Sequence, residues 1–245
     1  MKTYTKVKFK KSDLGRVHPA HLSYIIAAAH AVNELNSIRI YQIFEQTNLD
    51  EKPAEYAFVM IRQQVLLRHA TAKIYEFNLM TSRYFGSIKK TFPSFAEKWR
   101  KEYLPIAKDI RSSVWLPILR NKMAFHFSAD DYIAGFSRIK ESQDLSFIFG
   151  DNAGETAFTF AEQIIAAPLL DSIGMGDIRQ GLKRVSAFSN KLSSKIISFV
   201  IAHQREVFSN YGILRNIEKV KAHPESFGIY DHQFIPVFVA DRDHT

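Results

Sequence analysis

The sequence predicts a mainly α fold, an antiparallel helical bundle with a small β-hairpin insertion. Three observations predict it. Gly and Pro number 10 and 8 among 245 residues, so helix breakers are sparse. Apolar residues recur at helical spacing through several long segments. The chain is 46% hydrophobic and 24% charged, which suits a globular core and not a disordered chain.

Residues 3–10 alternate polar with apolar or aromatic side chains and read as an edge strand or a basic arm. His18-Pro19 marks the first helix start. From Ala20 to about Gln46, Leu22, Ile25, Ile26, Ala29, Val32, Ile40, Ile43 and Phe44 supply a helical apolar pattern. Pro53 opens a second helix to about Ser87, with Val59, Val65, Leu66, Ile74, Phe77 and Met80 as its apolar positions. Two long helices joined by a short polar turn are expected to pack antiparallel. A third helix, from about Ser94 toward Val114, carries Phe95, Trp99, Tyr103, Ile106 and Ile110, and Pro105 is expected to kink or split it. A fourth helical segment follows Pro117 and runs through His126, and a short helix follows Asp130-Asp131 to about Lys140.

The residues 145–149 and 157–160 flank Gly150-Asp151-Asn152-Ala153-Gly154 and predict a β-hairpin. Further helices are expected over Ala161–Leu170, Asp177–Asn210 and, after a turn at Tyr211-Gly212, Ile213–Ala222. A strand-like piece, Phe234–Val239, is interrupted by Pro236. With no internal repeat or low-complexity linker, one compact unit is the simplest partition. It comprises an arm or edge strand over 1–18, a helical core over 19–143, hairpin and C-terminal helices over 144–223 on the same core, and a tail over 224–245.

The chain has no Cys, which excludes disulfides and thiolate metal sites. Met1–Lys11 is Lys-rich without an apolar segment, so no secretory signal is expected. No apolar run approaches the ~20 residues a membrane helix needs. A cytoplasmic protein without a membrane association, cofactor or metal is therefore expected. The net charge of +8 favours a phosphate-rich partner over ordinary surface solubility.

One motif carries chemistry: Arg120-Asn121-Lys122-Met123-Ala124-Phe125-His126. Random placement of 14 Arg, 9 Asn and 9 His gives roughly 0.02 matches to that spacing. Arg215-Asn216 is followed by His223, eight positions after the arginine against six in the first motif, and is read as coincidence. With Arg120, Asn121 and His126 in this pattern after three long helices, the chain resembles the HEPN superfamily (higher eukaryotes and prokaryotes nucleotide-binding). The resemblance covers about residues 20–140. It implies a helical bundle, a metal-independent endoribonuclease or RNA-binding activity, and a homodimer that builds a shared site. It also implies a defence or toxin–antitoxin setting, with an antitoxin protein as partner.

The residues themselves suit that chemistry. Metal-free RNA cleavage uses the ribose 2′-hydroxyl as nucleophile and needs a base, an acid and positive charge on the phosphorane. His126 can be base or acid. Arg120 can hold the scissile phosphate in a fork of donors, and Asn121 can orient either. Residues six apart on a helix lie about 120° apart around the axis and ~9 Å along it. Two motifs meeting across a two-fold axis would focus the groups better than one, which predicts a homodimer.

Plainer readings stand beside this. His126, between Phe125 and Phe127, can be a buried structural histidine, and Arg120 and Asn121 can cap the preceding helix. The rival function is a non-catalytic dimerisation or interaction module. Asp130 is read as a helix N-cap or first-turn acid, not a metal ligand. Gly174-Met175-Gly176 is read as a helix-start turn lacking the rest of a phosphate loop. Arg62, Arg68 and His69 are read as a solvated face, and Tyr41, Tyr75, Tyr84 and Phe85 as packing.

Overall fold

Pro19, Pro53 and Pro93 each open a long helix. At the first helical position a missing N–H costs nothing, because it would have no intrahelical acceptor. The computed structural model describes residues 2–47, 53–120, 129–142, 145, 158–174, 178–214, 216–230 and 233–240. In chain order the elements are β1 (Lys2–Lys8), α1 (Lys11–Leu14), α2 (Pro19–Thr47), α3 (Pro53–Ile88), α4 (Pro93–Ser112) and α5 (Trp115–Ile118). They continue with α6 (Ala129–Phe136), α7 (Thr159–Ser172), α8 (Ile178–Asn210), β2 (Asn216–Tyr230) and β3 (Gln233–Ala240). The fold is mainly helical. Among the described residues no helix is long and apolar enough to cross a membrane.

Contacts divide the chain into two units, Ser23–Ala202 and a second formed by Met1–Leu22 with His203–Thr245. In the larger unit, α2 and α3 run antiparallel. Three contacts fix the direction: Tyr24 stacks on Tyr84 with ring centroids 3.9 Å apart, Lys73 pairs with Glu34 at 2.7 Å, and Gln63 Nε2 donates to Gln42 O at 2.9 Å. The Tyr24 hydroxyl is also hydrogen-bonded to Thr81 Oγ1 at 3.1 Å, and burial raises its pKa. The buried stripe of α3 runs through Met60, Gln63, Gln64, Leu67, Ala70, Thr71, Ile74, Phe77, Thr81, Tyr84, Phe85 and Ile88. Those three- and four-residue steps are one face of a helix. α4 packs on α3 through Tyr103, whose hydroxyl donates to Asn78 Oδ1 at 2.9 Å and whose ring meets Phe77 and Phe85. Phe199 of α8 closes the aromatic cluster against Trp99 and Tyr103.

In the smaller unit, β2 pairs antiparallel with β1 over its first half and with β3 over its second. The registers meet at Ala222, opposite Lys2 on one side and Ala240 on the other. α8 ends in a Schellman motif: Gly212 has φ 66°, its N–H bonds to Ser209 O, and the Ile213 N–H bonds to Phe208 O at 2.8 Å. Ile213, the residue after the glycine, is buried.

Several expectations need correction. The helix expected over Ile213–Ala222 is absent: Asn216 onward is strand β2, because β1 offers a ladder partner for that backbone. Pro105 does not split α4. Pro105 and Lys101, whose carbonyl loses its donor, are both exposed, so water can satisfy it. The expected hairpin lies mostly outside the described residues, but Thr159 and Phe160 belong to the first turn of α7 and not to a strand. Ile26, Ile40 and Val65, expected in the core, are exposed. Gly174, between α7 and α8, has a left-handed φ of 64°, while Met175 and Gly176 of the expected turn lie outside the described residues.

Candidate functional site

Arg120 is presented by a short helix with a strong anchor. Trp115, Leu116 and Leu119 are buried, and Trp115 meets Phe188 of α8 edge-on at 5.3 Å. Pro117 sits in the first turn, where its missing N–H is tolerated. The Leu119 N–H reaches back to the carbonyls of Trp115 and Leu116, so the backbone is still helical there. With Leu119 facing inward, Arg120 falls about 100° around the axis, at the edge of the buried face.

The Arg120 side chain is 33% exposed and turns toward α3. Its Nη2 donates to Glu76 Oε1 at 3.2 Å. Its guanidinium carbon lies 4.5 Å from the centroid of the Tyr75 ring. Each contact is worth up to about 1 kcal/mol at a partly exposed position. Tyr75, expected as packing, is thus the platform for the motif arginine. Asn121 and His126 lie outside the described residues. Asn216, from the second Arg-Asn pair, begins β2.

Arg68 departs from the solvated face expected of it. Its Nη2 meets Glu162 Oε2 of α7 at 2.6 Å, and the two side chains are 17% and 16% exposed. The pair ties α3 to α7. Arg62 and His69 are exposed as expected, Tyr84 and Phe85 are core, and Tyr41 is exposed. Asp130 is the second residue of α6, a first-turn acid.

The smaller unit holds a histidine cluster that sequence reasoning missed. His18 Nδ1 accepts the Ala20 N–H at 3.3 Å and caps α2. His21 is buried, with its ring centroid 6.2 Å from those of both His18 and Tyr211. Burial, then the neighbouring His18, lowers the His21 pKa to about 4. His203 is fully buried, and burial followed by His21 lowers its pKa to about 3. The His18/His21 spacing was a readable signal, but the approach of His203 was not. Among the described residues no group of three or more His, Asp or Glu is arranged to hold a metal ion.

No family model, curated protein or solved structure matches this chain.

Proposed function

We propose that the protein is a metal-independent endoribonuclease, or an RNA-binding relative, of the HEPN type, with an antiparallel helical bundle and a hairpin insertion. In this reading Arg120 holds the scissile phosphate, His126 transfers protons and Asn121 orients them. The 2′-hydroxyl attacks phosphorus, the 5′-oxygen leaves, and the product is a 2′,3′-cyclic phosphate. The working form is a cytoplasmic homodimer with two motifs facing one cleft, and an antitoxin protein is its partner.

The observation that supports this best is the presentation of Arg120. It is partly exposed, stacked on Tyr75, and met by Glu76 through one terminal nitrogen. A partly exposed guanidinium beside an aromatic ring has the chemistry for contact with a phosphate. The exposed Glu76 carboxylate is a modest competitor.

The same contacts favour a second reading, a non-catalytic interaction module in which Arg120 ties α5 to α3. Purified protein incubated with labelled RNA in EDTA separates the two. The enzyme reading expects cleavage to a cyclic phosphate, lost by about 10²-fold or more in His126→Ala and Arg120→Gln. Equal cleavage by wild type and His126→Ala rejects the catalytic role. Retained folding with no cleavage by any form favours the module.

A further inference from the structure

A groove of about 640 Å³ lies between α3 and α4, within the larger unit. Its volume falls in the range of pockets that enclose small ligands or single nucleotides. The floor is apolar, formed by the buried Phe85, Ala96 and Tyr103, with Leu104 half-exposed at the side. The rim carries three cations, Lys89, Arg100 and Arg111, against one acid, Glu97. None of those three cations has an ion-pair partner among the described residues, whereas Arg68, Arg120, Lys73 and Lys195 each have one.

The arrangement is directional. Arg100, Leu104, Ala107 and Arg111 fall on one stripe of α4, and its two arginines are about 16 Å apart along the axis. Across the groove, Ser82 and Gly86 fall on one stripe of α3, and Lys89 follows directly after its last residue. Tyr75, the platform under Arg120, lies on that same stripe, seven residues and about 10 Å before Ser82. At Gly86 an added Cβ would meet nothing within 4 Å, so the wall there is bare backbone facing open space.

We propose that this groove is a binding track for single-stranded RNA, leading along α3 to Arg120; the inference rests on the RNA reading given above. Phosphates pair with Lys89, Arg100 and Arg111, while sugar and base faces cover Leu104 and the aromatic floor. A cationic groove with an apolar floor matches a chain that alternates charge with flat apolar surface. The length between the two arginines suits a few nucleotides of an extended strand.

The test is fluorescence anisotropy with a labelled single-stranded RNA whose 2′-hydroxyls are methylated, so binding is read without cleavage. In wild type, affinity falls with salt. Lys89→Gln with Arg100→Gln is expected to weaken binding about tenfold at low salt and to flatten the log–log salt slope by about 1.4. Gly86→Phe fills the groove without touching charge. It is expected to weaken binding while leaving the slope unchanged, with circular dichroism confirming the helix. Wild-type affinity in both folded variants overturns the groove and leaves the RNA reading standing. A wild type that binds no RNA overturns that reading and the groove with it. A poly-glutamate peptide bound as tightly as RNA also overturns the track, since it makes the groove a site for acidic peptide.

Discussion

Acidification should loosen this protein through His21 and His203. Both imidazoles are buried, and their pKa values are lowered to about 4 and about 3. In the unfolded chain each returns to the ordinary value of about 6.5. Between those limits the unfolded chain binds more protons than the folded one, so stability rises with pH and is lost as pH falls below about 6.5. At about pH 5.5 both histidines are neutral in the fold, and the loss depends on the unfolded pKa alone. It is RT ln(1 + 10), or about 1.4 kcal/mol for each histidine and ~3 kcal/mol for the two, relative to about pH 8. The repulsion between the two charged rings does not enter there, because neither ring is charged. The assay is urea unfolding followed by circular dichroism at the two pH values, with hydrogen exchange across 203–213 reporting on the smaller unit. His203→Gln should cut the pH-dependent loss to about half, whatever it does to stability at high pH. A variant that keeps the full wild-type loss, or a wild type equally stable at both pH values, refutes the reasoning.

Two further perturbations test the packing of the larger unit. Gly86→Ala should stabilise by about 0.5–1 kcal/mol, because its Cβ enters open space and alanine costs less helix entropy. Gly135→Ala should instead destabilise by about 1–3 kcal/mol, because its Cβ would lie 2.5 Å from the Ile164 carbonyl oxygen of α7. Urea midpoints read by Trp99 and Trp115 fluorescence check both signs, and a stabilised Gly135→Ala would show that α6 is free to move off α7. Arg68→Met and Glu162→Gln should each cost about 1–3 kcal/mol, with the double variant costing less than the sum. Strict additivity would mean that the half-buried pair is not coupled.

Much of the helical layout was legible from local chemistry. Prolines at positions 19, 53 and 93 open three helices in the structure, and the Gly212 turn closes α8 where its left-handed φ requires glycine. The face of each helix was less legible, because the buried stripes contain polar residues that hydropathy assigns to solvent. Gln63, Gln64, Thr71 and Thr81 of α3 and Ser186, Ser189 and Ser193 of α8 are all buried. Some are satisfied by bonds that no local pattern reports, such as Gln63 to the Gln42 carbonyl and Thr81 to Tyr24. Apolar residues off the stripe, such as Ile26 and Val65, were drawn into the predicted core for the same reason.

The candidate site divides the same way. Arg120 and its helical setting follow from residue type and spacing, since a helix start and an arginine are local facts. Its seat on Tyr75 beside Glu76, the meeting of His21 with His203, and the convergence of Lys89 with Arg100 and Arg111 are not local. Sequence sets the torsions and the turn chemistry, because those energies arise within a few residues. Which distant side chains share a pocket is decided by tertiary packing, because burial and charge act between groups that meet only when helices pack.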